Sequence, residues 1–98
     1  MILEVAILDI KQGEEKDFET AFSHAEKIIS SMEGYVSHQL NKGIEKQIRY
    51  ILLVTWRTIE DHTVGFRKSE QYQKWKTLLH HFYDPFPEVE HYTEVIIK

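Results

Sequence analysis

Residues 48–56 have the sequence Ile-Arg-Tyr-Ile-Leu-Leu-Val-Thr-Trp, in which apolar side chains occupy both sets of alternating positions. Successive side chains of a β-strand point to opposite faces of the sheet, so the even-numbered residues share one face while Ile51 and Leu53 lie on the other. A strand that is apolar on both faces belongs in the middle of a sheet whose two faces are covered. This stretch therefore predicts a central strand.

The N-terminal residues repeat this pattern. Residues 2–10 place Leu3, Val5 and Ile7 on one face, and Ile2, Ala6, Leu8 and Ile10 on the other. They predict a second central strand. The remaining elements follow from helical spacing, caps and turn residues. In chain order they are an amphipathic helix with its apolar stripe from Phe18 to Met32 that stops at Gly34, an edge strand at 35–42, a short helix from Thr58 to Phe66 with a capping-box start at Asp61, a helix capped by Ser69 that ends at 84–87, and a last strand at 89–97.

The order of these elements is strand, helix, strand, strand, helix pair, strand. Right-handed β-α-β crossovers then put the first and third strands at the centre and the second and fourth at the edges. The sequence thus predicts one α+β domain over residues 1–98, with the ferredoxin-like βαββαβ topology. Helices can cover only one face of such a sheet. The apolar residues on the other face predict a homodimer in which two sheets pack together as an α/β barrel.

Composition excludes several classes of function. Twelve basic residues against sixteen acidic ones give a net charge of -4, and the basic residues are dispersed, so neither nucleic acid nor an anionic membrane is expected as a partner. The chain has no cysteine, which removes disulfides, thiolate metal sites and cysteine nucleophiles. Neither HxxxH nor HxH spacing occurs, so the sequence does not indicate a metal site. The N-terminus lacks signal-peptide character, so a cytoplasmic location is expected.

Three segments carry a resemblance to a known family. They are Val54-Thr55-Trp56-Arg57-Thr58-Ile59-Glu60-Asp61-His62, then Phe66-Arg67-Lys68-Ser69-Glu70-Gln71-Tyr72, and the closing pair His91-Tyr92. In this order and spacing they resemble the antibiotic biosynthesis monooxygenase (ABM) domain of the dimeric α/β-barrel superfamily. The resemblance implies a homodimer with a pocket in each subunit between sheet and helices. Members include cofactor-independent oxygenases of electron-rich polycyclic phenols and enzymes that cleave haem.

The haem-cleaving pattern can be compared with this chain position by position. The family pattern has an asparagine in the first strand, a tryptophan before the Ser-x-x-Tyr segment and a haem-ligating histidine after it. Ala6, Phe66 and Lys76 stand at those positions, so none of the three expected residues is present. His80 and His81 lie one turn further along and are the alternative iron ligands.

A cofactor-free oxygenase needs an apolar aromatic pocket that excludes water and a titratable group that takes a proton from the substrate. The predicted catalytic histidines are His62, His81 and His91, with His80 as a further proton carrier. The predicted pocket walls are Phe22, Trp56, Phe66, Tyr72, Trp75, Phe82 and Tyr83.

Each candidate also has a purely structural interpretation. Aromatic residues at helical spacing, such as Trp75 and Phe82, are ordinary core residues, and His62 can simply face solvent in the first turn of its helix. Adjacent helical residues point about 100° apart, so His80 and His81 cannot both face one site. The leading hypothesis is an ABM-type monooxygenase, without cofactor, that acts on or binds a flat aromatic molecule. The alternatives are a haem-binding or haem-degrading protein, and a non-enzymatic dimeric module whose own side chains fill its pocket.

Overall fold

The computed structural model describes all 98 residues. Four antiparallel strands form one sheet in the order β2-β3-β1-β4, which confirms the predicted ferredoxin-like α+β topology with the first and third strands at the centre. None of the helices has the length and apolarity needed to cross a membrane. In chain order the elements are β1 (Ile2–Asp9), α1 (Glu15–Ile29), β2 (Tyr35–Lys42), β3 (Arg49–Trp56), a π-helix (Asp61–Phe66), α2 (Glu70–Leu79), a 3₁₀-helix (His80–Phe82) and β4 (Val89–Tyr92).

The two faces of the sheet have different environments. All helices pack on the face that carries the even-numbered residues of β1 and β3, which we call the inner face. There Leu8 pairs with Tyr50 and Ala6 with Leu52 across the central strands, and these four side chains are at most 3% exposed. The hydrophobic core therefore lies in one layer between the sheet and the helices.

The opposite, outer face is apolar along the same two strands but lacks a covering layer. Ile7 pairs with Ile51, and Val5 with Leu53. Ile7 is 47% and Ile51 37% exposed. Backbone pairing thus assembles an outward-facing cluster of branched aliphatic side chains, as the alternation in the sequence predicted.

The last strand is shorter than predicted. It ends at Tyr92, which pairs with Leu3 near the start of β1, so β1 offers almost no further backbone to extend the ladder. The prediction of a strand through Ile97 was wrong for this reason. Residues 93–98 lie beyond the sheet, and Val95, Ile96 and Ile97 are at least 74% exposed.

Local signals position the helices that carry the site. The side chain of Thr58 accepts a hydrogen bond from the Asp61 amide at 3.1 Å, and the Asp61 carboxylate accepts one from the Thr58 amide at 3.2 Å. This reciprocal pair is the predicted capping box, although the helix it starts is wound as a π-helix over Asp61–Phe66. Ser69 caps α2 as predicted, because its side-chain oxygen accepts a hydrogen bond from the Tyr72 amide at 3.1 Å.

Candidate functional site

A cavity of about 490 Å³ lies between the inner face of the sheet and the helices. Its floor is formed by β1 and β3, and its walls by the π-helix, α2 and the segment that leads into β4. The lining is mainly apolar and aromatic, with a few ionisable groups, as in most small-molecule sites. The lining residues are Glu4, Ala6, Leu8, Leu52, His62, Phe66, Arg67, Tyr72, Trp75, His80, Tyr83, Phe86, Pro87, Glu88 and Val89.

Glu4 supplies a carboxyl group to the floor of this cavity. The residue is 5% exposed, and its Oε1 accepts a hydrogen bond from the indole Nε1 of Trp56 at 2.9 Å. Burial raises the pKa of Glu4 to about 7, although the Trp56 hydrogen bond and the charge of Arg67 partly oppose the increase. A carboxyl group with this pKa exists in both protonation states near neutral pH and can exchange a proton with a bound molecule.

His62 belongs to the π-helix, lies beside Glu4 of β1 and is 3% exposed. Its Nε2 lies 3.4 Å from Glu4 Oε1, and its ring stacks on Trp56 with centroids 5.4 Å apart. Burial, with the charges of Arg67 and His91, lowers the pKa of His62 to about 3. The imidazole is therefore neutral at ordinary pH, so its 3.4 Å approach to Glu4 is a polar contact and not an ion pair.

His91 extends this arrangement away from the cavity. Its Nε2 lies 2.8 Å from His62 Nδ1, and the residue is half-buried on β4. The antiparallel register pairs His91 with Glu4, which places both side chains on the inner face. Burial, and then the charge of Arg67, lower the pKa of His91.

The mouth of the cavity carries the remaining polar groups. Arg67, Phe86 and Glu88 are exposed there, and no carboxylate lies within ion-pair distance of the Arg67 guanidinium. Deeper in the wall, burial raises the pKa of the Tyr83 hydroxyl. Burial, and then the Lys76 charge, lower the pKa of His80. The cavity thus presents Arg67 and Glu88 at its mouth, and the ionisable Glu4 with the neutral side chains of His62, His80 and Tyr83 further inside.

Six of the eleven predicted site residues line the cavity. Phe66 contacts both Tyr72 and Trp75 edge to face, with centroids 5.2 and 5.6 Å apart, so the π-helix and α2 build one aromatic wall. The predicted residues that the structure brings together here are His62, Phe66, Tyr72, Trp75, His80 and Tyr83.

The other five predicted residues lie elsewhere. Trp56 is fully buried behind His62. Phe22 and Phe82 belong to the core around α1, where Phe82 packs against Phe18. His81 is exposed and stacks on its neighbour Phe82, because the turn of the chain after α2 directs His80 and not His81 to the cavity. His91 reaches the site only through His62.

Glu4 and Arg67 were not among the predicted site residues. The sequence carried a signal for Glu4, since an even-numbered position of residues 2–10 falls on the same face as Ala6 and Leu8. A lone carboxylate on the buried face of a central strand is expensive and calls for a functional explanation. Arg67 gave no comparable signal, because its place at the mouth depends on how the π-helix docks on the sheet.

The cavity also bears on the scaffold alternative. A module whose sheet serves only as an interface was expected to fill its pocket with its own side chains. Instead, about 490 Å³ remains open beside His62 and Trp75, so that expectation is not met.

Comparison with protein families and curated proteins identifies relatives of the whole chain. The sequence model of the family named antibiotic biosynthesis monooxygenase matches residues 1–78. A Bacillus subtilis protein, YczJ, is 56% identical over 95 residues, which cover 97% of this chain and 100% of that protein. YczJ is described as uncharacterised, so this similarity extends the family without adding an activity.

Solved structures show the same architecture. A Bordetella bronchiseptica protein that carries the same family name is 33% identical, superposes with a TM-score of 0.92 and covers 97% of both chains. SnoaB from Streptomyces nogalater, described as a cofactor-independent oxygenase, superposes with a TM-score of 0.85 at 17% identity, over 98% of this chain and 94% of that one. At that identity the likeness to SnoaB is one of fold.

Proposed function

Because the chain belongs to the antibiotic biosynthesis monooxygenase family, we propose that it is a cofactor-independent monooxygenase of a flat, electron-rich aromatic substrate. The observation that carries this proposal is the Glu4 carboxyl, whose pKa is raised to about 7, on the floor of an aromatic cavity of about 490 Å³. The description of SnoaB as cofactor-independent supports the same chemistry.

In this reaction the substrate itself reduces oxygen. The Glu4 carboxylate takes a proton from an acidic C–H or O–H bond of the bound molecule, which leaves an electron-rich anion. That anion reduces O₂. One oxygen atom bonds to the substrate carbon and the other leaves as water, so that a CH₂ group becomes a carbonyl. That water takes the remaining hydrogen of the CH₂ group and one proton from solvent, which balances the proton that Glu4 removed. No external reductant is required, because the carbon supplies all four electrons.

The walls and the mouth of the cavity suit such a substrate. Phe66, Tyr72 and Trp75 offer ring faces and edges to a planar molecule, and they keep water from the developing anion. At the mouth, Arg67 places a positive charge without an ion-pair partner beside the cavity. A substrate with a phenol or enol oxygen directed toward Arg67 would have its anion stabilised.

Oxygen uptake with anthrone and with naphthol-type quinols tests this function. General-base catalysis contributes on the order of 10²–10⁴ to a rate, so Glu4→Gln is expected to lower kcat by about 100-fold or more. Glu88→Gln is the matched control, because Glu88 also lines the cavity but is exposed. The proposal would be overturned if a broad aromatic panel gave no oxygen uptake and no ligand-induced shift in Tm.

A haem-binding function has one residue in its favour. His80 lies in the cavity wall, and its lowered pKa keeps the imidazole neutral and able to ligate iron. The residues of the haem-cleaving pattern do not fit, since Ala6, Phe66 and Lys76 replace its asparagine, tryptophan and histidine. Haemin titration of the wild type and of His80→Ala separates the two functions. A saturable Soret shift at one haem per chain that His80→Ala abolishes would favour haem.

We further propose that the protein acts as a homodimer joined through its outer sheet face. That face carries Ile7, Ile51 and Leu53 without a covering layer, whereas every helix lies on the other side. A second copy presents the same apolar cluster and can cover it by two-fold symmetry. The cavity lies on the inner side of the sheet, so each subunit retains its own.

A further inference from the structure

We propose that His62 and His91 form a proton relay that carries the proton of Glu4 from the cavity floor to solvent at the sheet edge formed by β4. The role of this relay in catalysis rests on the proposed function, whereas proton transfer along it can occur in the substrate-free protein. Below, "the relay" means Glu4, His62 and His91.

The relay consists of one hydrogen bond and one longer polar contact in series. Glu4 Oε1 lies 3.4 Å from His62 Nε2, and His62 Nδ1 lies 2.8 Å from His91 Nε2. His62 thus uses both ring nitrogens, one toward each partner. The pairing of β1 with β4 sets the two ends opposite each other, and the π-helix places His62 between them.

The outer end of the relay reaches water away from the cavity. His91 is not among the cavity-lining residues, whereas Glu4 and His62 are. No buried side-chain nitrogen or oxygen of the protein lacks a hydrogen-bond partner, and His91 Nδ1 has no protein partner, so this nitrogen is in contact with solvent. A substrate that fills the cavity would block the direct route from Glu4 to water. The relay instead reaches solvent through His91, at the edge of the sheet formed by β4.

His62 can pass the proton without becoming charged, whereas His91 is an imidazolium until it releases its second proton. When Glu4 is protonated its carboxyl group faces His62 Nε2 at 3.4 Å, and His62 Nδ1–H donates to His91 Nε2. The proton of Glu4 moves to His62 Nε2 while the proton on His62 Nδ1 moves to His91 Nε2. His91 then releases its Nδ1 proton to water. The relay ends with an ionised Glu4, with His62 protonated on Nε2 and with a neutral His91, and His62 returns to its Nδ1–H tautomer before the next cycle.

The charges around the relay favour this route. Arg67, which follows the π-helix, disfavours positive charge on both histidines, so His62 does not trap the proton and His91 releases it. Tyr83, which follows the 3₁₀-helix, is the other titratable group close to Glu4, and burial keeps its hydroxyl protonated. On β3, Val54 lies opposite Glu4 and the uncharged indole of Trp56 donates to Glu4 Oε1.

Histidine ¹⁵N NMR of the substrate-free protein between pH 5 and pH 9 tests the relay. As Glu4 ionises with a midpoint near pH 7, the proton of His62 is expected to move from Nδ1 to Nε2 without an imidazolium form. His91 Nε2 should change from acceptor to donor at the same midpoint. A His62 tautomer that stays constant through this range, or a His62 that becomes doubly protonated, would overturn the relay.

Two isosteric variants sharpen this test. Glu4→Gln cannot ionise, so His62 should hold one tautomer throughout the pH range. Glu26→Gln is the matched control, because Glu26 Oε1 bonds a different histidine, His38, at 2.9 Å, and the variant should leave the His62 transition intact. Persistence of the His62 transition in Glu4→Gln would assign that transition to another group and overturn the relay.

A kinetic measurement adds a functional readout where oxygen uptake is detected. His91→Phe keeps a ring beside His62 but removes the outer acceptor, so kcat should fall about tenfold with KM unchanged, and imidazole in the buffer should restore it. Unchanged kcat would remove the relay from turnover. Failure of the proposed function is a separate outcome, because then no variant takes up oxygen while the NMR result still decides whether the relay exists.

Discussion

At the scale of single residues, the site depends on a carboxyl group whose burial is costly to the fold. Glu4 is 5% exposed, and its contact with His62 brings no opposite charge, since His62 is neutral. An ionised carboxylate in such a place costs free energy that a protonated one does not. A group retained at this cost between Ala6 and Ile2 on the buried face of β1 is a candidate for function.

The cost of Glu4 predicts a specific pH dependence of stability. Its pKa is about 7 in the folded protein against an ordinary value of 4.5. Between these pH values the folded protein keeps a proton that the unfolded chain has released, so its stability falls as the pH rises through this window. At 1.36 kcal/mol per pKa unit, the wild type should lose about 3 kcal/mol relative to Glu4→Gln between pH 4.5 and pH 7.5.

Urea denaturation of both proteins across this range measures the difference in free energy of unfolding. His62 titrates in the opposite direction, because its folded pKa is lowered, but it is present in both proteins and cancels. Glu45→Gln, in the loop after β2, controls for the loss of one negative charge at an exposed position. A difference between wild type and Glu4→Gln that does not change with pH would contradict the prediction.

The residues of the site were predictable only where a local pattern encodes them. His62 and Phe66 follow from their place in the segment after Trp56, and Glu4 could have been found from strand alternation alone. The contact of His91 with His62 could not, because it needs the register of β4 on β1 and the docking of the π-helix. Helical spacing does not say which of two adjacent residues faces the core, so the sequence could not separate His80 from His81.

At the scale of elements, close packing around one turn links α1, β2 and the π-helix. Gly34 has φ of +83°, a conformation that other residues rarely adopt. Its Cα also faces the Asp61 side chain, and an added Cβ would overlap with that side chain. Asp61 cannot move away freely, because its carboxylate accepts the hydrogen bond of the Thr58 amide in the capping box.

Gly34→Ala is therefore expected to destabilise the protein more than Gly13→Ala. Gly13 has a similar φ of +89°, but no atom lies within 4 Å of its added Cβ. Both variants carry the left-handed strain of about 1–2 kcal/mol, and only Gly34→Ala adds the overpacking cost, typically about 1–3 kcal/mol. Equal free energies of unfolding for the two variants in urea would show that Asp61 relaxes without cost.

The boundaries of the elements show what sequence patterns can define. Ser69 and the Thr58–Asp61 pair located two helix starts correctly, because caps act between residues close in the chain. The sequence predicted a strand that continues to Ile97, and Val95 to Ile97 are indeed strongly strand-forming residues. A strand also needs a neighbouring strand to pair with, and β1 begins only one residue before Leu3, the partner of Tyr92.

At the scale of the whole molecule, the two faces of the sheet have different roles. The inner face holds the core and the cavity, and the outer face carries exposed aliphatic residues that a soluble monomer seldom displays as a contiguous cluster. Three more exposed aliphatic residues follow in the segment after β4. The alternation of apolar residues in β1 and β3 predicted both faces.

A charge placed at the centre of the outer face should separate the proposed dimer. Ile51 sits opposite Ile7 on the central strands, so Ile51→Lys would bury an unpaired ammonium in a two-fold interface, twice per dimer. We expect the wild type to sediment at about twice the chain mass of 11.7 kDa, and Ile51→Lys to sediment at the chain mass. Val64→Lys is the matched control, because Val64 is 49% exposed on the π-helix and away from the sheet. Its dimer should be unchanged. A wild type that sediments as a soluble monomer at micromolar concentration would rule out the dimer and require another explanation for the aliphatic cluster of β1 and β3.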